Sequence, residues 1–270
     1  MAGELVVIKI GGAAGVNLPA VCQDIGHLCA QGKRVVIVHG GSARVDQLAA
    51  EAGMPILHLT SPSGHVSRYT DIRMREIYVA GLRSVNAAIT DRLSLAGLHP
   101  IGLTLPDCCA LIGERKRHLR HVCHGRIQIV RDDYSGHIYR VRGDFIHRIL
   151  ALGQVPVIPA LAHSARDGFL NVDGDRAAAA VAGAMSAALL ILLSNVPGLF
   201  RDYPTQDDLV SRVPLLEIDS ALHWAKGRMK QKILSVKQAA EHGVARAAIA
   251  DGRLPNPLQR AMAGSGTWFD

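Results

Sequence analysis

Three features of the 270-residue chain predict an α/β protein built on a buried parallel sheet. Residues 5–10 (LVVIKI), 34–38 (RVVIV) and 188–193 (ALLILL) are almost continuous apolar runs, the pattern of strands covered on both faces. The first two runs end in a Gly-Gly pair. Each pair is followed by apolar residues at helical spacing, so strand, glycine turn and helix occur twice within about fifty residues. Such units set free backbone N–H groups and a helix N-terminus at one edge of the sheet, a site that suits an anion.

The first run carries the oddest residue. Lys9 interrupts it at the C-terminal end, just before Gly11 and Gly12. An unpaired buried ammonium group is costly, and open α/β sheets bind ligands beyond the carboxyl ends of their strands. Lys9 therefore reads as aimed at an anion that Gly11 and Gly12 allow close to the backbone. A lysine snorkelling to solvent from a strand end is the plainer alternative.

The remaining elements follow in order. A helix is expected over residues 18–30, with Pro19 near its start and Gly32 just past its end. The second strand ends in His39-Gly40-Gly41-Ser42, and a helix follows over 43–52. Neither glycine pair matches the P-loop or GxGxxG patterns, and two tight turns without a ligand remain an alternative. Residues 55–59 can form a short strand, and 61–70 (SPSGHVSRYT) read as a loop. Arg68 in that loop precedes a long helix, capped by Asp71 and running to about residue 96. An arginine so placed can hold a carboxylate by a two-point contact, or simply lie on the surface.

Residues 100–105 read as a strand, 143–152 as a helix and 156–159 as another strand. Asn171-Val172-Asp173-Gly174-Asp175 then leads into an alanine-rich helix over 176–184. Its carboxylates can cap that helix, orient lysines or help hold a metal-bound nucleotide. The strand 188–193 runs into a turn, SNVPGL, at the sheet edge where a nucleotide base can lie. After a polar loop at 201–208, helices are expected over 217–225 and from Lys226 through residue 241. Lys226, Arg228, Lys230 and Lys232 crowd the start of the second of these, against the helix dipole unless an anion binds there. A strand at 245–250, a helix at 257–263 and an edge strand at 267–269 complete the chain, with no linker and no internal repeat.

Composition narrows the functional classes. The chain is 49% hydrophobic and 20% charged, a soluble globular profile, and only 4% aromatic, so its core is mostly aliphatic. A net charge of +7 favours acidic partners or substrates. No aromatic-basic platform or recognition helix points to nucleic acid. Five cysteines without a CxxC pair or disulfide framework fit a reducing cytoplasm. No secretory signal pattern precedes the first strand, and no stretch has the length and apolarity of a membrane span.

Residues 107–131 are the most basic part. Arg115, Lys116, Arg117, Arg120 and Arg126 stand among His118, His121 and His124. Alternation over 122–130, with Gly125 at the turn, predicts a β-hairpin. A solvated charged face, a zinc site with Cys123 whose spacing matches no common ligand set, and a docking patch for an acidic protein all remain open.

Taken together, KIGG, HGGS, VSRYTD, NVDGD, SNVPGL and GRMKQK, in this order and spacing, resemble the amino acid kinase family, and within it the acetylglutamate kinase group. The likeness runs over essentially the whole chain. It implies a three-layer αβα sandwich with an open, mostly parallel sheet of about eight strands, forming one domain. About residues 1–170 would serve the acyl acceptor and about 171–270 the nucleotide. The resemblance casts Lys9 and Lys232 as the lysines that neutralise the transferring phosphoryl group, with Asp175 orienting them. It gives Gly40, Gly41, Arg68 and Asn171 to the acceptor. It gives Gly11, Gly12, Ser194, Asn195, Val196, Pro197, Gly198, Leu199, Gly227 and Met229 to the nucleotide. No protein metal ligands are implied, Mg2+ being brought with ATP.

HGGS in place of HGGG, the run VSRYTD, the extra cations of GRMKQK, and RDDYSGHI resemble most the members that act on a carrier-bound acceptor. There, aminoadipate or glutamate is attached to a small acidic amino-group carrier protein, LysW-like, in lysine or arginine biosynthesis. The basic segment, with Arg115, Lys116, Arg117 and Arg120, would then dock the carrier. N-acetyl-L-glutamate kinase of arginine biosynthesis is the alternative, and a regulatory module without catalysis is a third reading that the presence of Lys9, Asp175 and Lys232 disfavours. The resemblance further implies a homodimer in the cytoplasm with no nucleic-acid or membrane partner. A carboxylate acceptor, with a pKa near ~4.3, is already ionised at neutral pH. It needs no general base, which agrees with the absence of a Ser-His or Cys-His pair among the motifs.

Overall fold

Eight strands form the sheet expected at the centre of the chain. The computed structural model describes residues 3–203 and 208–270. In order, the elements are β1 (Leu5–Ile10), α1 (Leu18–Ala30), β2 (Arg34–His39), α2 (Ser42–Glu51), β3 (His58–Thr60), β4 (Val66–Arg68) and α3 (Ile72–Leu95). There follow β5 (Pro100–Gly102), β6 (Leu111–Arg115), β7 (Leu119–Cys123), β8 (Arg126–Val130), β9 (Gly136–Val141), α4 (Gly143–Ala151), β10 (Val155–Pro159), β11 (Leu161–Ser164) and β12 (Gly168–Asn171). Then come α5 (Gly174–Ala184), β13 (Leu189–Ser194), β14 (Arg212–Val213), a 3-10 turn (Leu215–Glu217) and α6 (Ile218–Trp224). The chain ends with α7 (Arg228–Glu241), β15 (Ala247–Asp251), α8 (Pro257–Met262) and β16 (Thr267–Phe269).

The main sheet has the order β14-β16-β15-β13-β1-β2-β10-β5. Only the β15–β16 pairing is antiparallel. Strands after α5 lie on one side of β1 and β2, β10 and β5 on the other. The order thus reverses at β1, the kind of switch point where α/β sheets open a ligand crevice. Alternation along each strand explains the three layers. Val6, Ile8 and Ile10 face α1, α3 and α8 with Ile37, Ile191 and Ala248. Leu5 and Val7 face α4, α5 and α7 with Val36, Val38, Leu190 and Ile249. A period-two strand with both faces apolar therefore feeds two separate cores.

Asp71 caps α3 as expected, and Asn17 caps α1 beside Pro19. Asn17 accepts from Ala20 N, and Asp71 accepts from Met74 N at 2.7 Å to start α3. The β7–β8 hairpin begins at Leu119, and His124 and Gly125 at its turn have φ of 48° and 73°, the doubly left-handed pattern of tight hairpins.

Some elements depart from expectation. The loop at 61–70 contains β4, which pairs with β3 as a hairpin. The strand expected at 100–105 pairs only over Pro100–Gly102, because β5 is the sheet's edge. A four-stranded sheet, β12-β11-β6-β9, was not legible as strands. Most of its members are short or part-exposed, and β6 pairs with the distant β9 and β11, so no local periodicity announces the sheet. The middle of the polar loop at 201–208 lies outside the described residues. Among the described residues no helix is long and apolar enough to cross a membrane.

Candidate active site

Three charges from three elements meet at the carboxyl end of β1. Asp173 caps α5, accepting from Arg176 N at 2.9 Å, and places Asp175 in the first turn, where the helix dipole favours a negative charge. The helix behind it is small-sided, with Ala177, Ala178, Ala179 and Ala182 buried. Small side chains let α7 pack closely on it, and a Cβ on Gly183 would stand only 2.6 Å from His242 Cβ. α7 thereby carries Lys232 onto Asp175. Lys9 Nζ lies 2.8 Å from Asp175 Oδ1, and Lys232 Nζ lies 2.9 Å from Oδ2. All three side chains are at most 10% exposed. Gly174 lies beside the Lys9 stem, where a Cβ would touch Lys9 Cε at 3.4 Å, an ordinary contact.

Burial by itself would raise the pKa of Asp175. The two ammonium groups outweigh it and hold the carboxyl well below the usual carboxylate range. For Lys232, burial lowers the pKa, and Asp175 offsets this only in part. One carboxylate thus fixes two ammonium groups side by side with an excess of positive charge, suited to a polyanion such as a phosphoryl group.

The glycine turns pack against each other. A Cβ on Gly12 would lie 2.4 Å from Gly41 N and 2.8 Å from Gly40 C, and one on Gly40 would lie 3.0 Å from Gly12 N. A Cβ on Gly11 would sit 3.0 Å from Leu193 O, beside Ser194. These glycines therefore let two backbone turns touch, whatever else they hold. His39 locks the second turn. Its Nδ1 lies 2.9 Å from Gly40 O, and its Nε2 lies 2.9 Å from Asn86 Nδ2. Full burial pushes the His39 pKa down to about 4, so the ring is neutral. Gly12→Ala is expected to lower Tm by several degrees and to reduce turnover, because the added methyl meets backbone rather than a movable side chain. A thermal melt with steady-state kinetics checks it.

Arg68 and Asn171 form a second group. Arg68 Nη2 pairs with Asp46 of α2, while Nη1 is buried with no partner among the described residues. A buried guanidinium nitrogen left unpaired suits a ligand carboxylate. Asn171, at the end of β12, donates from Nδ2 to Thr70 Oγ1 at 2.9 Å, and Thr70 Oγ1 lies 3.2 Å from Arg68 O. Asn171 is also four residues from Asp175 in the same segment, which joins the two groups.

The profile of the amino acid kinase family matches residues 4–251. The chain belongs to the amino acid kinase family. It is 38% identical to the LysW-aminoadipate kinase of Deinococcus radiodurans, covering 98% of this chain and 91% of that protein. It is likewise 38% identical to the LysW-aminoadipate kinase of Thermus thermophilus, covering 97% and 99%. Among solved structures, N-acetylglutamate synthase from Neisseria gonorrhoeae, complexed with coenzyme A and N-acetyl-glutamate, superposes with a TM-score of 0.81 at 25% identity. The whole of this chain is covered there, but it spans only 60% of that protein's chain.

In this amino acid kinase, the turn after β13 is half anchor and half surface. Gly198 and Leu199 are buried, and Leu199 N donates to Thr267 Oγ1 at 2.8 Å. A Cβ on Gly198 would meet that same Oγ1 at 2.5 Å. Ser194 is buried at the strand end, whereas Asn195, Val196 and Pro197 reach the surface. Gly227 caps α7 with φ of 54°, and Met229 packs partly on the core. Of the cations at the start of α7, Lys226 donates to Tyr203 O at 3.1 Å, Arg228 and Lys230 are exposed, and Lys232 alone enters the buried triad.

The basic segment divides. Arg115 turns inward, donating to Asp133 O at 2.8 Å and Arg131 O at 2.7 Å and stacking 3.9 Å above Tyr134, so it anchors the fold rather than offering a free charge. Arg117 faces Asp167 at 3.4 Å. Lys116 and Arg120 are exposed. Among the described residues no cluster of three or more His, Cys, Asp or Glu side chains is placed to hold a metal ion. Asp46, Thr70, Asp133 and His39 were not expected at the site. His39, Thr70 and Asp133 stand inside HGGS, VSRYTD and RDDYSGHI, but the partners that give Asp46, Thr70 and Asp133 their roles lie on other elements.

Proposed function

We propose that this chain transfers the γ-phosphoryl group of ATP to the side-chain carboxylate of aminoadipate or glutamate attached to a small acidic LysW-like carrier protein. The observation that carries the transfer is the buried Lys9–Asp175–Lys232 triad at the carboxyl end of β1. The carrier is supported by the names of the relatives in Deinococcus and Thermus, by the +7 net charge, and by Lys116 and Arg120 standing exposed on or beside the hairpin. The family implies ATP use.

In this reading the ionised acceptor carboxylate attacks the γ-phosphorus. The bond to the β-phosphate oxygen breaks, and ADP leaves with its electron pair. Lys9 and Lys232 spread the charge of the in-line transition state, while Asp175 holds both ammonium groups so that neither must reorganise. Backbone N–H groups near Gly11 and Gly12 would face phosphate, and Arg68 Nη1 and Asn171 the acceptor. The turn Ser194-Asn195-Val196-Pro197 with Gly227 would border the nucleotide. The residues present, lysines and glycine turns, fit a polyphosphate; Mg2+ would be held by phosphate oxygens and water and would supply charge neutralisation. The division near residue 170 into acceptor and nucleotide sides, a homodimer and a cytoplasmic location belong to the same reading.

An ADP-release assay tests it with the carrier-linked acceptor against free N-acetylglutamate. Turnover of the carrier-linked compound is expected. Turnover of the acetyl compound alone would make the chain an N-acetyl-L-glutamate kinase instead. In the same assay Lys116→Glu with Arg120→Glu should raise KM for the carrier-linked acceptor several-fold and leave KM for ATP unchanged.

A further inference from the structure

The run Arg131-Asp132-Asp133-Tyr134-Ser135 is bound to the acceptor side by an unusual density of contacts. Asp133 is fully buried. Its Oδ2 accepts from Thr70 N at 2.8 Å and its Oδ1 from Ser135 N at 2.7 Å. In return Tyr134 N donates to Thr70 O at 2.7 Å, and Asn171 N donates to Tyr134 O at 3.0 Å. Tyr69 donates its hydroxyl to Asp132 at 2.5 Å. The Tyr134 ring lies between two guanidinium groups, Arg75 at 4.3 Å and Arg115 at 3.9 Å. Thr70 is therefore held on both sides of its peptide, and it has no freedom to turn.

That rigidity has a chemical consequence. The Thr70 hydroxyl has one proton, and it is directed at Arg68 O. Its oxygen can then only accept from Asn171, which orients the Asn171 amide with Nδ2 inward. The other end, Oδ1, receives no hydrogen bond among the described residues and is left as an acceptor. An acceptor there selects a ligand that presents an N–H, such as the amide nitrogen of an N-acylated amino acid.

We propose that Thr70 and Asp133 are positioning residues for the acyl acceptor, fixing which end of the Asn171 amide meets it and holding the strand that carries Arg68. This rests on the reading of Arg68 and Asn171 as the acceptor side. The test compares Thr70→Val, which removes the hydroxyl, with Thr70→Ser, which keeps it. The carrier-linked compound serves as acceptor, or N-acetylglutamate if only that turns over, since both present an amide N–H. Thr70→Val is expected to raise KM for the acceptor about tenfold and leave KM for ATP within twofold, and Thr70→Ser to restore most of the loss. An acceptor KM within twofold of the parent in Thr70→Val would overturn the proposal, as would equal rises in both KM values. If Thr70→Val does not fold, Thr70→Ala makes the same comparison. Arg68→Ala separates the two readings. An unchanged acceptor KM in that variant sinks the assignment of the acceptor side, whereas a raised one beside an unaffected Thr70→Val sinks only the positioning role.

Discussion

Lys9→Met lowers kcat by roughly a hundred-fold, with KM for the acceptor little changed. Methionine keeps the length and apolar stem of lysine, so the strand stays packed while one ammonium group disappears. Loss of one preorganised donor to a developing anion raises the barrier by about 3 kcal/mol, which is the stated factor. Lys232→Met should behave alike, and the double variant should lose less than the product of the two, because both act on one phosphoryl group through one carboxylate. The protonation of Lys232 gives an independent signature. Its pKa is depressed first by burial. Since the charged form is the useful one, kcat/KM for ATP falls as pH rises, and the fall sets in below the pH at which an ordinary lysine titrates. Lys232→Arg, charged throughout, should move that limb upward whatever its residual rate. Steady-state kinetics across pH 6 to 11 would decide both points, and an alkaline limb that stays put in Lys232→Arg would assign it to another group.

Asp175→Asn is expected to destabilise the fold by about 3–5 kcal/mol, the penalty of removing one partner from a buried ionic group. The two lysines would then face each other across a neutral amide with nothing to hold them. Activity should fall with stability, but the stability change is the diagnostic part. The carboxyl of Asp175 titrates lower in the folded chain than in the unfolded one. The stabilisation it gives is thus complete above the unfolded value near ~3.9 and is lost as pH falls toward the folded one. Denaturant melts of the parent should weaken below about pH 4, and the difference from Asp175→Asn should shrink over that same range. A difference that is constant from pH 7 to pH 3 would show that the triad is not the source.

The sequence made the centre of the main sheet legible because β1, β2 and β13 are long apolar runs, the first two ending in glycine pairs. Lys9 stood out for the same reason: a charge within such a run demands a partner. Lys232 and Asp175 were singled out through the motifs, and of Lys230 and Lys232 it is Lys232 that is buried. The glycines were read as room for an anion, and the structure adds that Gly12 and Gly40 make room for each other. The second sheet and the Asp133–Thr70 clasp were not legible. Their partners are separated by as many as 63 residues, and strands as short as β11 and β12 carry little periodicity. Arg115 counted as a surface cation in the sequence because nothing there reveals that Tyr134 and two carbonyl groups wait beneath it.

The triad joins β1 to α7, with Asp175 of α5 between them, so its last member is made well after its first. A nascent chain still lacking α7 would present Asp175 to Lys9 alone. In the proposed reading its phosphate site would be half-assembled, however well the strands before α7 had paired. On that reading full activity would wait for α7 to dock on α5, although one ammonium group would already be in place.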